Sequence, residues 1–159
     1  MSLDETSQLP LRIKRKARGR TQAQFAALCW RILDGQTQVC LVTTRGKRRW
    51  TLPKGWPMNK QTPAEAAATE AYEEAGLTGR AQDRCLGVYS YLKPGDKSRR
   101  QYLALVFPVE IEETHDDWPE RRDRQREWLP QAQAAARLSP PELRHIVEQF
   151  DPQKLRAAP

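Results

Sequence analysis

Between Thr62 and Gly76 the chain has little choice but to form a helix. Thr62 can accept at the N-cap, and Pro63 suits the first helical position, where a missing N–H costs nothing. Gly76 supplies a residue able to take the left-handed conformation that closes a helix. Inside, alanines 64, 67, 68, 71 and 75 fall on one narrow face at helical spacing, able to lie close against a sheet. Glu70, Glu73 and Glu74 stand at i, i+3 and i+4 on one side that flanks this face. Like charges at that spacing destabilise an isolated helix by roughly 0.2–0.5 kcal/mol per pair. No Lys or Arg occurs between Pro63 and Ala75, although the chain carries a net charge of +7. A hard dication with oxygen ligands would neutralise the cluster directly. Glutamate is also a good helix former, so the acids taken alone favour a solvated acidic face.

The surroundings place this helix in an α/β chain. Phe25 to Leu33 reads as a strand, Asp34-Gly35 as a two-residue turn, and Val39 to Thr44 as the returning strand. That turn would set Cys29 opposite Cys40. Arg45 to Arg49 is a basic turn leading to Trp50-Thr51-Leu52. Pro53 to Pro63 reads as an irregular loop, being rich in breakers. After the helix, Cys85 to Leu92 and Gln101 to Glu112 read as strands joined by a turn at Pro94-Gly95-Asp96. Arg126 to Leu129 is a short strand, Pro130 to Leu138 a helix, and Ser139-Pro140-Pro141-Glu142 opens a last helix to about Phe150. The expected division is a basic, mobile arm at 1–20, one domain at 21–151 and a tail at 152–159. A chain of 159 residues suits one such domain.

The stretch Gly55 to Leu77, GWPMNKQTPAEAAATEAYEEAGL, resembles the Nudix box, the loop–helix–loop pattern Gx5Ex7REUxEExGU. Gly55, Glu70, Glu73, Glu74, Gly76 and Leu77 match, and Ala71 stands at the aliphatic position. Gln61 and Thr69 depart from it, replacing the first glutamate and the arginine that brace the loop against the helix in that family. Losing both charges together leaves no unpaired partner behind. LVTTRGKRRWTLPKGW and DDWPERRDRQREWLP, on either side, resemble the diphosphoinositol polyphosphate phosphohydrolase branch, whose enzymes cleave inositol pyrophosphates and dinucleoside polyphosphates.

The resemblance implies an α/β/α sandwich around a mixed β-sheet. It also implies hydrolysis of a pyrophosphate bond with Mg²⁺, or Mn²⁺ in its place. Glu70 and Glu74 would be the metal ligands, and Glu73 a third ligand or the group that polarises water, so that all three are catalytic candidates. The Gly55 carbonyl would add a backbone oxygen. Arg45, Lys54, Lys97, Arg99 and Arg124 would bind substrate phosphates. The basic pair that this branch carries before its first strand falls at Gln22 and Gln24, so part of the phosphate cradle is absent.

The excess charge clusters in Arg12–Arg20, Arg45–Arg49, Lys93–Arg100 and Arg121–Arg126, a field that attracts polyanions. The expected partner is a polyanionic phosphorylated small molecule. The arm lacks the interleaved aromatics that stack on bases, which ranks nucleic acid last. The longest apolar run, Tyr102 to Val109, is too short for a membrane span, and no secretory h-region precedes the first charges. Cys29, Cys40 and Cys85 lack zinc-site spacing and suit buried, reduced thiols, so the expected compartment is the cytoplasm. His115, His145, Tyr72 and most tryptophans read as packing residues, with Trp56 also able to stack on a base. The rival to an enzyme is a module of the same fold that binds a phosphorylated ligand without turnover, motivated by Gln61 and Thr69.

Overall fold

The computed structural model describes residues 8–11, 22–92 and 101–156. Most of the basic arm, the turn at Pro94-Gly95-Asp96, and the candidates Lys97 and Arg99 therefore lie outside the described residues. Twelve elements follow in order: β1 (Gln22–Leu33), β2 (Gln36–Thr43), β3 (Trp50–Thr51), β4 (Lys54–Gly55), α1 (Pro63–Ala75), β5 (Leu77–Ala81), β6 (Gly87–Leu92), β7 (Gln101–Thr114), β8 (Arg126–Pro130), α2 (Gln131–Ala136), α3 (Pro141–Gln149) and α4 (Pro152–Arg156).

The strands form one mixed sheet, ordered β3-β2-β1-β7-β5, with β8 on β2, β6 on β7 and β4 on β1. Strands β1 and β7 run parallel, from Gln22 opposite Tyr102 to Trp30 opposite Glu110; the other pairings are antiparallel. Because β1 is central and covered on both faces, its side chains alternate between two apolar layers instead of between core and water. Ala26, Leu28 and Trp30 pack with Leu143, Ile146 and Leu155 on one side. Ala27 and Cys29 pack with Ala64, Ala67, Ala71 and Ala75 of α1 on the other. This is the expected α/β/α sandwich.

Local chemistry explains the well-read elements. Asp34 and Gly35 take φ of 51° and 75°, the positive pair that a two-residue hairpin between twisted strands requires. The hairpin sets Cys29 opposite Cys40 as free, buried thiols. Helix α1 begins in a capping box, Thr62 Oγ1 accepting from Glu65 N and the Glu65 carboxylate accepting from Thr62 N, both at 3.1 Å. It ends at Gly76, with φ 66° and ψ 33°. Ala66 is also buried, on the side of the helix that carries the glutamates, whereas Ala68 sits at the edge of the alanine face.

Three expectations change, and one strand is added where the sequence assigns no element. Lys54-Gly55, assigned to an irregular loop, is strand β4, paired to Ala26 and Phe25 across the sheet. Two residues suffice because their partner strand already exists, and local breaker density carries no record of it. The stretch Leu77–Ala81 pairs with β7 through a bulge at Thr78/Gly79, where the backbone of Glu110 leaves no room for a side chain on Gly79. Pro152–Arg156, placed in the tail, is a short helix that buries Leu155 in the core. At the other end Gln8, in the presumed mobile arm, docks on β6: its amide donates to Val88 O at 2.9 Å and accepts from Val88 N. Among the described residues no helix is long and apolar enough to cross a membrane.

Candidate active site

Strand β1 changes partner partway along. From Cys29 to Leu33 it pairs with β2, but at Phe25 and Ala26 it pairs with β4, and Ala27 N bonds Pro53 O at 2.9 Å. At this fork lies a cleft of about 270 Å³ lined by Gln24, Thr44, Arg45, Lys54, Glu74, Tyr91 and Arg124. Helix α1 delivers its acids here because its alanine face, having only methyl groups, lets the backbone lie close on the sheet.

Glu70 and Glu74 are only 8% and 6% exposed. Burial first, then the charges of Glu74 and Glu73, push the Glu70 carboxyl up to about 8, and Glu70 and Glu74 are hydrogen-bonded to each other. Burial also pushes Glu74 up to about 7, against the opposing pull of Arg124 and Lys54. Near neutral pH the pair therefore retains a proton, as two carboxyls in one small space do. Glu70 rests against Gly55: a Cβ there would lie 2.8 Å from Glu70 Cγ and still closer to its carboxyl. Glu73 is half-buried at the flank, and among the described residues no three acids, histidines or cysteines gather closely enough to enclose a metal ion.

The connection from His115 to Gln125 wraps the end of α1. His115 N bonds Gly76 O at 2.8 Å, Trp118 Nε1 bonds Glu74 O at 3.0 Å and Glu120 N bonds Glu73 O at 3.0 Å. Arg126 Nη1 donates to Ala75 O at 2.7 Å while its guanidinium lies 4.0 Å over Trp118. The last carbonyls of α1, orphaned by helix geometry, are thereby satisfied, and Glu73 and Glu74 are held in place.

The same connection carries Arg124 into the cleft. Its guanidinium, 13% exposed, donates to Glu120 Oε1 at 2.8 Å and Thr43 O at 3.0 Å, and lies 3.5 Å from Glu74 Oε2. Arg45, 61% exposed, meets the same Glu120 oxygen at 2.8 Å and Asp123 at 3.5 Å. Lys54 Nζ donates to Thr51 Oγ1 at 3.3 Å and lies 4.9 Å over the Tyr91 ring. The structure thus brings together Glu70, Glu74, Gly55, Arg45, Lys54 and Arg124. Sequence reasoning missed Glu120, which organises both arginines, and Tyr91, whose hydroxyl bonds Gln24. Glu120 stands within an acidic and basic run where nothing local singles it out.

Residues 23–150 match the family described as NUDIX domain. The chain belongs to the Nudix family. It is 32% identical over 96 residues to Nudix hydrolase 12, mitochondrial, of Arabidopsis thaliana, covering 58% of this chain and 47% of that protein. It is 36% identical over 107 residues to diphosphoinositol polyphosphate phosphohydrolase 3-alpha of Mus musculus, covering 65% of this chain and 61% of that protein. The chain spans about half the length of the curated relatives it matches. The crystal structure of C. elegans Ap4A hydrolase shares its fold, with a TM-score of 0.59 and 17% identity over 87% of this chain and 100% of that one. A Nudix hydrolase from Nitrosomonas europaea gives 0.62 and 18% over 81% and 87%.

In this Nudix box the two residues that depart from the family pattern are neutral and meet at the surface. Thr69 Oγ1 lies 3.3 Å from Gln61 Oε1 and 3.1 Å from Glu65 O. The two departures from the pattern thus touch each other, at the place where a charged pair would stand.

Proposed function

We propose that this Nudix protein is a metal-dependent hydrolase that cleaves a pyrophosphate bond in a phosphorylated small molecule. Inositol pyrophosphates and dinucleoside polyphosphates are the candidate substrates. The observation that carries this reading is the buried Glu70–Glu74 pair on a helix without cations, with Glu74 lining a cleft beside Lys54 and Arg124. Two buried carboxyls whose mutual repulsion a cation would relieve make a donor set suited to a hard cation, and Gly55, having no Cβ, lets the Glu70 carboxyl lie against its backbone. Glu70 and Glu74, with the Gly55 carbonyl, would hold Mg²⁺ or Mn²⁺. Bound there, the ion would neutralise phosphoryl oxygens and lower the pKa of a bound water.

The chain's own residues do the rest. Glu73, at the flank, serves as a further ligand or polarises the attacking water. Arg124, fixed from behind by Thr43 and Glu120, points a guanidinium beside Glu74 and orients a non-bridging oxygen of the scissile group. Lys54 adds a cation from the β4 side, and Arg45 guides phosphates at the rim; Lys97 and Arg99 are assigned the same role from the sequence. Buried thiols at Cys29, Cys40 and Cys85 suit the reducing cytoplasm, which we propose as its compartment.

A Mg²⁺-dependent cleavage assay tests the reading, with nucleotide products separated by chromatography for nucleoside diphosphate derivatives and dinucleoside polyphosphates, and phosphate release measured for inositol pyrophosphates. Turnover of at least one class is expected, abolished by EDTA and depressed in kcat by Glu70→Gln for every substrate. Binding of these compounds without turnover would instead establish the rival, a non-catalytic module.

A further inference from the structure

Trp56 follows Gly55 directly, yet it belongs to neither apolar cluster of the core and leaves 46% of its surface exposed. A single exposed aromatic is ordinary on a protein surface. What sets Trp56 apart is its mounting. Three rings run in a row from the cleft outward. Tyr91, in the cleft wall, stacks on Tyr102 with centroids 5.4 Å apart and an interplanar angle of 23°. Tyr102 in turn meets Trp56 at 6.0 Å and 59°. The backbone before Trp56 is pinned by the Gly55–Phe25 pairing, and Pro57 after it restricts Trp56 to extended conformations. One flank of the indole rests on Tyr102 while much of the rest faces water on a rigid base.

The charge pattern of the same wall points the same way. Arg45 is engaged by Glu120 and Asp123, and Arg124 by Glu120 and Glu74. Gln24 is bonded to the Tyr91 hydroxyl, so a neutral amide and a phenol occupy the place where the resemblance expects a basic residue. At its cleft end this wall carries Lys54, whose Nζ lies 4.9 Å over the Tyr91 ring and can meet a phosphate, while outward from there Tyr102 and Trp56 offer ring faces that suit a planar base.

We propose that Trp56 is a specificity-determining stacking platform for a nucleobase, so that the pyrophosphate cleaved in the cleft belongs to a nucleoside and not to a polyol. The proposal rests on the pyrophosphohydrolase reading for its reaction but not for its binding chemistry, and the two can be separated. Calorimetry with the full chain and Mg²⁺ would measure binding of AMP and of ribose 5-phosphate, which share a phosphoribose and differ in the base. Wild type should bind AMP at least tenfold more tightly. Trp56→Ala should weaken AMP about tenfold to a hundredfold, the usual worth of one stacked base, and leave ribose 5-phosphate within twofold. Trp56→Phe should restore most of the AMP affinity, since it keeps a ring face.

Equal affinity of wild type for the two ligands, or equal losses in Trp56→Ala, would overturn the proposal, as would failure of wild type to bind AMP. Formation of AMP and ribose 5-phosphate from ADP-ribose, and release of phosphate from an inositol pyrophosphate, are then measured on the same proteins. Base-dependent AMP binding with no turnover of any pyrophosphate would uphold the platform and remove the hydrolase reading. Turnover reduced alike for both substrates by Trp56→Ala would remove the platform and leave the hydrolase standing.

Discussion

Replacing Gly55 by alanine should disable the site while leaving the fold almost untouched. An added Cβ would stand 2.8 Å from Glu70 Cγ and closer to its carboxyl. Carbon atoms meet comfortably at about 3.5 Å, so the Glu70 carboxyl must retreat by roughly 1 Å. The clash is with the end of a flexible side chain, and Gly55 does not need a left-handed backbone, so the stability cost should stay within about 1 kcal/mol. Catalysis tolerates such a shift poorly: a misplacement of about 1 Å costs on the order of a hundredfold. Steady-state product formation should show kcat down about a hundredfold with KM changed less than threefold, while the thermal unfolding midpoint moves only a few degrees. Unaltered kcat in a folded Gly55→Ala protein would mean that the position of Glu70 is irrelevant to the reaction, and the assignment of Glu70 as ligand would have to be withdrawn.

A raised carboxyl pKa contributes stability in full below its unfolded value near 4.5 and loses it as pH rises through its folded value, about 8 for Glu70. In EDTA, wild-type stability should therefore fall between pH 5 and pH 8, and Glu70→Gln should be the more stable protein at pH 8. The expected gain is about 2 kcal/mol once solvent screening in the open cleft is allowed for, as read by urea unfolding at both pH values. A mutant with the wild-type pH slope would refute the shared-proton pair. Gln61→Glu combined with Thr69→Arg should leave kcat equal or higher, because it replaces a 3.3 Å neutral contact with the charged brace of the family; loss of turnover in a normally folded double mutant would contradict that role. Arg45→Ala with Arg99→Ala should raise KM much more for a substrate with four or more phosphates than for a nucleoside diphosphate sugar. Equal effects on long and short chains would reduce both arginines to surface charge.

What the sequence determined by itself is what short-range chemistry controls. The limits of α1 are written in Thr62, Pro63, Glu65 and Gly76, since caps and left-handed closure depend on neighbouring residues alone. The hairpin at Asp34-Gly35, and through it the register that sets Cys29 opposite Cys40, follows from two residues that accept positive φ. Helical spacing placed Glu70, Glu73 and Glu74 on one side, and the resemblance of their surroundings supplied a reaction. Tertiary structure alone decided what those acids meet. The fork where β1 leaves β2 for β4, the burial that drives Glu70 and Glu74 to share a proton, and the wrap of residues 115–126 around the end of α1 join segments distant in the chain. Glu120 illustrates the reason: its carboxylate gathers Arg45, 75 residues away, and its neighbour Arg124. Such partners are selected by the closure of the whole sheet, a non-local event whose free energy leaves no periodicity in the residues it unites.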